Sequence, residues 1–293
     1  MRYTLLLSAL PLAVASTCLS SAYADTQADV RATMAQMKVL SDMDPRKNYS
    51  LRVDGKVETG RKEMFLRRRT PSEILRSGLS SGCGDYAAVF SELMSKRGYE
   101  TLIVDGAAVS AASLTTCFMG HCVVAVRRRV ESTWWLVNST GGAIISENWS
   151  RGSTYFRAFG GLYWIGYVGP LSRYPVHGQE GLKAFYRSTL SQVPRDFLRT
   201  HLVRLKYVVD ASLKDKKGGY LNPNLRSFLG MQEAILKAEH IDPVKTATVH
   251  LTKGGNKDES GCSRDGAGRV TVTLGLDSGC SVNLLGYIEM KAQ

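Results

Sequence analysis

The amino-acid sequence predicts an α+β protein, and three observations lead to this fold class. Apolar residues recur at helical spacing in several segments, short β-branched or aromatic runs bounded by turn residues indicate strands, and the two kinds of segment are mixed along the chain. The 293 residues are 44% hydrophobic and 22% charged, which suffices for one extended domain or two modest ones. This composition excludes a wholly disordered chain.

The first 24 residues form a segment with its own signature. Arg2 precedes an apolar run over residues 5–14, and the triplet Ala22-Tyr23-Ala24, with small residues at its first and third positions, follows. This order is typical of a secretory signal peptide with cleavage before Asp25; a membrane anchor is the alternative, for which the run is short. No apolar run of about 18 residues occurs later. We therefore expect an exported protein, periplasmic or extracellular, that is not integral to the membrane.

Two helices are predicted in the first hundred residues. The first follows the signal peptide, and the second begins at or just after Cys83, where Ser80 and Ser81 are N-cap candidates, and ends near Gly98. Between them, the polar and basic stretch 44–70 has weak strand character at most. The apolar residues at helical spacing are Val30, Met34, Met37 and Leu40 in the first helix and Tyr86, Val89, Phe90, Leu93 and Met94 in the second.

Three strands follow the second helix. The runs 101–104, 122–126 and 134–137 are short, β-branched or aromatic, and bounded by turn residues. Only a charged turn joins the last two runs, so we expect them to pair as antiparallel neighbours. The helix that begins at Cys83 is then expected to pack on an antiparallel sheet.

The rest of the chain has a less regular pattern. Residues 141–175 are rich in Gly and aromatic side chains. This segment either forms the floor of a substrate groove or consists of irregular strands whose side chains face the core. Residues 182–190 and 225–236 have helical spacing. Residues 246–289 alternate like a small antiparallel sheet, so we expect a C-terminal region of helices and a β-hairpin.

The chain is basic, with a formal net charge of +12 at pH 7. Its densest basic runs, Arg67–Arg69 and Arg127–Arg129, are not interleaved with the aromatic side chains that single-strand nucleic-acid binders use, so we expect no nucleic-acid partner. Attraction to an anionic surface is one interpretation of the excess charge, and solvated charge with no dedicated partner is the other. No cluster of His, Cys, Asp and Glu has metal-ligand spacing, so we expect no metal or other cofactor.

The candidate chemistry centres on Cys83. Gly82 and Gly84 flank the cysteine, and the start of a helix presents unpaired N–H groups and a partial positive charge that favour the thiolate. A thiolate in this position is a nucleophile. The backbone N–H groups of Cys83 and Gly84 are then candidates to receive the oxyanion of a tetrahedral intermediate. A buried structural thiol is the alternative.

His121 and Asn138 complete a candidate catalytic set. His121 lies at the start of the second predicted strand, which is a core strand. There it can act as the base that later protonates the leaving group. Asn138 ends the next strand, so its side chain can orient the imidazole if the two strands are adjacent. A hydrogen-bonded core histidine and an ordinary strand end are the alternatives for these two residues.

In these residues the chain resembles the transglutaminase-like superfamily, whose fold is a rearranged relative of papain. The resemblance covers about Pro71 to Gly142. It implies a papain/transglutaminase-like core and a thioester acyl-enzyme formed on the cysteine. The residues that match the family pattern in order and spacing are Gly82-Cys83, Asp85-Tyr86-Ala87, Gly98, His121, Trp135 and Asn138-Ser139-Thr140.

The sequence departs from the family pattern in two places. Asn138 stands where the family usually has Asp; an amide can still orient an imidazole but stabilises the imidazolium less. The family also implies an upstream side-chain oxyanion donor, often Gln or Trp, and none lies between Asp44 and Cys83. Only backbone groups, Ser80 or Ser81 are left for that role. Calcium-binding signatures of the animal cross-linking enzymes are not recognisable.

Five cysteines remain once the signal peptide is removed, and exported proteins normally pair their cysteines. Cys117 and Cys122 bracket a four-residue loop, and Cys262 and Cys280 flank a Gly-rich turn and a β-rich segment. We expect these two pairs to form disulfides, the second as a staple of the C-terminal hairpin. Cys83 is left over and is predicted to be the free thiol.

Together these observations predict an exported cysteine peptidase or amidase. Residues 25–178 form its catalytic domain, and residues 179–293 form a C-terminal region that is either separate or part of the same domain. The expected substrate is a peptide, protein or cell-envelope amide. The alternatives are transamidation of protein glutamine, a non-catalytic module that binds a peptide or cell-envelope polymer, and an interaction protein whose C-terminal sheet does the recognition. The sequence gives no indication of the oligomeric state.

Overall fold

The computed structural model describes residues 26–115, 119–174, 178–254, 261–274 and 281–293. Helices and strands are mixed in these residues, which confirms the predicted α+β class. The helices are α1 (26–36), α2 (Pro71–Ser77), α3 (Cys83–Lys96), α4 (Gly178–Ser191), α5 (Arg195–His201), α6 (Leu225–Ala238) and α7 (Val282–Ala292). The strands are β1 (Ser41–Asp42), β2 (Asn48–Val53), β3 (Lys56–Arg61), β4 (Leu79–Ser80), β5 (Tyr99–Ala108), β6 (Gly120–Arg128), β7 (Trp134–Asn138), β8 (Ala143–Trp149), β9 (Tyr155–Ala158), β10 (Gly161–Gly169), β11 (Val203–Val209), β12 (Lys245–Lys253), β13 (Gly261–Arg264) and β14 (Val270–Leu274).

A six-stranded antiparallel sheet lies at the centre of the molecule, in the order β8-β7-β6-β5-β10-β9. Helix α3 packs across β5 and β6. Successive residues of a strand point to opposite faces, so β6 sends Val124 into the core beneath α3 and Val123 into a second core on the other face. Aromatic residues from β9 and β10, among them Phe156 and Tyr163, fill that second core.

The predicted elements of the first half are confirmed. Helix α1 follows the proposed cleavage site, α3 begins at Cys83, and the three predicted strands lie within β5, β6 and β7. Strands β6 and β7 pair antiparallel, as expected. The stretch 44–70 is more regular than predicted, because β2 and β3 form a hairpin around Asp54 and Gly55, which both have positive φ. An Asp-Gly pair between strands favours this turn.

The C-terminal region corrects the prediction of an antiparallel sheet over 246–289. Strands β11, β12 and β14 are parallel neighbours, and β13 alone among them runs antiparallel to its partner β14. Helix α6 connects β11 to β12, which is the crossover that a parallel pair requires. The last segment is the helix α7 rather than a strand: Leu285, Ile288 and Glu289 are its buried residues at helical spacing, and Ser281 caps its N-terminus.

A buried carboxylate attaches α7 to the central part of the molecule. Glu289 accepts the backbone N–H groups of Ala111 at 3.1 Å and Ala112 at 3.0 Å, and the side-chain amide of Gln232 at 2.6 Å. Burial raises the pKa of Glu289 to about 7, against the hydrogen bonds, which lower it. Because α7 also contacts β10, the C-terminal region packs directly on the central sheet.

Each predicted disulfide includes one cysteine that lies outside the described residues. Cys122 and Cys262 are free thiols, and their predicted partners, Cys117 and Cys280, lie outside the described residues. Cys122 is buried in the core beneath α3, on the face of β6 opposite to that of its neighbour His121. The prediction of a single free thiol therefore differs from the structure.

Five of the six arginines in the two basic runs are paired with carboxylates. The side chains of Arg67 and Arg69 are 5% and 0% exposed, so solvated surface charge is wrong for both. Arg67 and Arg69 are therefore not available to an anionic surface, whereas Arg129 is exposed. The pairs are Arg67–Asp105, Arg68–Glu58, Arg69–Asp85, Arg127–Glu100 and Arg128–Asp29.

The predicted signal peptide lies outside the described residues. Within the described ranges, no helix has the length and apolar character needed to cross a membrane. In that same part of the chain, no group of three His, Cys, Asp or Glu side chains is arranged to hold a metal ion.

Substitution of Glu289 by Ala should lower the free energy of unfolding by about 2–4 kcal/mol, because it leaves two backbone N–H groups and one of the two N–H donors of the Gln232 amide buried without an acceptor. Urea denaturation measures the change. Glu180, whose side chain is 82% exposed, provides the matched control, and Glu180→Ala should change stability by less than about 0.5 kcal/mol. Equal stability of the Glu289→Ala variant and the wild type would contradict the role given to this carboxylate.

Candidate active site

The turn that starts α3 places Cys83. Gly82 is the N-cap residue, and its φ of 146° is a backbone conformation that favours glycine. The N–H groups of Cys83 and Gly84 are the first two of the helix and have no acceptor within it. Ser80 and Ser81, the predicted N-caps, bond to other groups instead.

The pairing of β6 with β7 brings His121 and Asn138 together. Nε2 of His121 lies 3.0 Å from Oδ1 of Asn138, and the two residues are 4% and 3% exposed. The backbone N–H of Gly141 donates to the same Oδ1 over 3.3 Å, so this oxygen is an acceptor and Nε2 carries the proton. Nδ1 is then the ring nitrogen left to accept a proton from the thiol of Cys83.

Cys83 and His121 line the same cleft, and each changes the pKa of the other. Burial alone would raise the pKa of Cys83, but the interaction with His121 and the charge of Arg67 outweigh burial and lower that pKa to about 7. Burial would lower the pKa of His121, but Cys83 and Asn138 favour the imidazolium and raise it. A thiolate–imidazolium pair is therefore accessible near neutral pH.

Three aromatic rings surround the imidazole of His121. The ring centroids of Phe159, Tyr163 and Phe156 lie 5.1, 5.5 and 6.3 Å from that of the imidazole. The segment 141–175, expected to form a groove floor or irregular strands, thus forms the regular strands β8–β10 and also contributes aromatic side chains to the site.

Phe159 occupies the turn between β9 and β10. Its φ of 51° is a left-handed conformation that costs a non-glycine residue about 1–2 kcal/mol. The ring lies beside His121 and beside Gly141, where an added Cβ would come 2.7 Å from it. Phe159 therefore covers the hydrogen bond between His121 and Asn138, a role that no local sequence pattern indicated.

Arg67 is a buried neighbour of the nucleophile that the sequence analysis missed. Its guanidinium pairs with Asp105, donates to the hydroxyl of Tyr186 at 3.0 Å and lies 5.0 Å from the ring centroid of Tyr174. A Cβ at Gly84 would lie 2.5 Å from Nε of Arg67, so this close approach requires glycine. Burial raises the pKa of Asp105, and Arg67 opposes that shift. The sequence contained one signal for this ion pair: Asp105 is a charged residue within the apolar strand β5.

A second buried ion pair holds the segment before Cys83. The carboxylate of Asp85 is 2.5 Å from a guanidinium nitrogen of Arg69, and it also accepts the backbone N–H and the hydroxyl of Ser81 at 2.8 and 2.9 Å. Burial raises the pKa of Asp85, and these partners oppose the shift. Because Asp85 lies on α3 and Ser81 precedes it, the pair fixes the approach to the helix.

The backbone N–H groups of Cys83 and Gly84 remain the candidate oxyanion donors. The hydroxyl of Ser81 is bonded to Asp85 and to a backbone carbonyl, and the hydroxyl of Ser80 is bonded to the backbone of Gly82. Both serines are buried. Neither hydroxyl is therefore directed at a substrate.

Cys83 and His121 open into a cleft of about 440 Å³. One wall of the cleft is formed by Tyr287, Met290 and Lys291 of α7. The sequence analysis missed this wall because it predicted strand character where the chain forms α7.

Comparisons with protein-family models, curated proteins and solved structures find no match for this chain. The functional argument therefore rests on the arrangement of Cys83, His121 and Asn138. A half-buried thiol with a lowered pKa, an imidazole oriented by an amide, and two N–H groups at a helix start can form and break a thioester.

The alkylation rate of Cys83 by iodoacetamide should rise with pH with a midpoint near 7, because the thiolate is the reacting form. His121→Ala removes the imidazole and its positive charge, so it should move the midpoint to higher pH. Peptide mapping by mass spectrometry measures the rate at each cysteine.

Cys262 is the internal control for this experiment, because burial raises the pKa of its thiol. Its alkylation should require a higher pH than that of Cys83 and should not respond to His121→Ala. Indistinguishable pH profiles for Cys83 in the wild type and in the variant would refute the role of His121.

Proposed function

We propose that the protein is an exported cysteine hydrolase that cleaves peptide or amide bonds through a thioester on Cys83. The observation that carries the proposal is the set of Cys83, His121 and Asn138 at one cleft, in which Asn138 is hydrogen-bonded to His121 and the pKa of Cys83 is lowered to about 7. Export is part of it and rests on the signal-like residues 1–24.

In the first half of the proposed reaction, His121 accepts the thiol proton and the sulfur of Cys83 attacks the substrate carbonyl carbon. The new C–S bond places negative charge on the carbonyl oxygen, which the N–H groups of Cys83 and Gly84 are positioned to receive. The C–N bond then breaks, and His121 returns the proton to the departing amine. The product of these steps is the thioester.

In the second half, water attacks the thioester and gives a proton to His121. The C–S bond breaks, the carboxylic acid product leaves, and Cys83 is regenerated. The hydrogen bond from Nε2 of His121 to Asn138 keeps Nδ1 directed at the sulfur in both halves. Phe159 beside this hydrogen bond limits competition from water.

A papain/transglutaminase-like core belongs to the same proposal. It is supported by a helix that begins at the nucleophile and packs on an antiparallel sheet, and by a base and an orienting residue on adjacent strands of that sheet. Asn138 is the residue that orients the histidine, and an asparagine in this role is typical of papain-type enzymes.

Water is the proposed acceptor because Cys83 is half-buried and the cleft opens to solvent. An amine in place of water would give transamidation from the same thioester. Binding without turnover would instead make the protein a recognition module for a peptide or a cell-envelope polymer.

Oxygen-18 labelling separates these outcomes. The protein is incubated with a library of blocked peptides in water enriched in oxygen-18, and in parallel with a fluorescent primary amine. Hydrolysis places one labelled oxygen in the new carboxylate, transamidation attaches the amine to a glutamine side chain, and a binding module retains peptides unchanged. The Cys83→Ala variant controls for contaminating peptidases. Equal oxygen-18 incorporation with this variant and with the wild type would contradict the proposal.

Alanine substitutions should rank the three residues by role. Cys83→Ala should abolish turnover, because no nucleophile remains. His121→Ala should lower kcat by about 10²–10⁴-fold, which is the usual contribution of a general acid–base. Asn138→Ala should cause a smaller loss, since it orients the base without touching the reacting atoms. Full activity of the His121→Ala variant in a peptide cleavage assay would transfer the base role to another group.

A further inference from the structure

Helix α7 presents one face to the cleft. Tyr287, Met290 and Lys291 are spaced i, i+3 and i+4, which places them side by side on a helix, and all three line the cleft. Met290 is fixed by contact with the hydroxyl of Tyr163, whose oxygen lies 3.6 Å from the methionine sulfur. Glu289 anchors the same helix turn to the core. This wall is therefore held in place rather than loosely attached.

Lys291 differs from the other charged groups that line the cleft. Arg67 is paired with Asp105, and Asp85, at the other end of the cleft, is paired with Arg69. The charges of Cys83 and His121 balance each other when both are ionised.

Lys291 makes no ion pair within the described ranges of the chain. Lys291 lowers the pKa of the half-buried thiol of Cys262, against the larger effect of burial. Lys291 therefore brings a positive charge to the wall of the cleft that α7 forms.

We propose that the cleft selects acyl donors that carry a carboxylate near the scissile amide, with Lys291 as the residue that receives it. This inference rests on the proposed function and adds its substrate class: acidic peptides or amides. Met290 and Tyr287, which is 57% exposed, are positioned to contact the apolar part of such a donor. The positive charge of Lys291 also repels basic donors. The same residue therefore favours acidic donors and disfavours basic ones.

Two alkylating probes test this charge selection directly. Iodoacetate carries a carboxylate, and iodoacetamide is its neutral counterpart of similar size. The rate of modification of Cys83 is measured with each probe at one pH and low ionic strength, and the ratio of the two rates is compared among variants. Lys291→Glu should lower the ratio of iodoacetate to iodoacetamide by about threefold or more, because the local charge changes by two units. Lys291→Gln should give an intermediate ratio.

Several controls isolate Lys291. Lys253→Glu makes the same change in net charge at an exposed site outside the cleft and should leave the ratio unchanged. Rates are read from the Cys83 peptide alone, because Cys262 lies close to Lys291. Raising the salt concentration to about 0.5 M should shrink the difference between the wild type and Lys291→Glu. His121 contributes equally in all these variants, so it cancels from the comparison.

The same ratio in folded wild-type and Lys291→Glu protein would overturn the inference. Near-ultraviolet circular dichroism establishes that each variant is folded, and Lys291→Gln serves if Lys291→Glu is not. Failure of the proposed function would look different: no peptide would acquire oxygen-18 from the wild type, whatever the ratio of alkylation rates.

Discussion

The buried ion pair between Arg67 and Asp105 is the interaction on which the geometry of the site depends. It joins the segment after β3 to the central strand β5, and the hydroxyl groups of Tyr174 and Tyr186 bond to the same carboxylate. In the sheet, Asp105 is the neighbour of Gly106, which pairs with His121. Removal of one partner from a buried ion pair typically costs about 3–5 kcal/mol, so such a network holds its attached segments firmly.

The same ion pair relates the two elements that carry the nucleophile and the base. Arg67 passes over Gly84 in the first turn of α3, while Asp105 lies on the strand that pairs with β6. The charges of the pair also act on the thiol: Arg67 lowers the pKa of Cys83 and Asp105 raises it. Arg67 and Phe159, on opposite sides of the site, both have positive φ, and strain of this kind accumulates where surrounding contacts fix the backbone.

The sequence predicted those features of the site that depend on local pattern. Helical spacing and small residues indicated that a helix starts at Cys83, and short apolar runs placed His121 and Asn138 at the ends of strands that pair in the structure. It did not predict the contact between Arg67 and Asp105, because these residues are 38 positions apart, and an aspartate within an apolar strand does not reveal which cation pairs with it. An arginine run looks the same in sequence whether it is buried or solvated.

The C-terminal wall and the cysteines show a second limit of sequence reasoning. In α7, a polar residue, Glu289, occupies a buried position of the helix, which obscures the apolar spacing that would indicate a helix. Cys122 was assigned to a disulfide from its spacing to Cys117, but spacing does not reveal that its side chain faces the core beneath α3. In both cases the deciding contacts come from residues distant in the chain.

The central claim is that Cys83 and His121 form a coupled thiolate–imidazolium pair, and the titration of the His121 ring by nitrogen-15 NMR tests it most directly. The thiolate raises the pKa of His121 in the folded protein, so the midpoint should be higher in the wild type than in Cys83→Ala. Nε2 should remain protonated in both proteins through its hydrogen bond to Asn138. Identical His121 midpoints in the wild type and in Cys83→Ala would contradict the account.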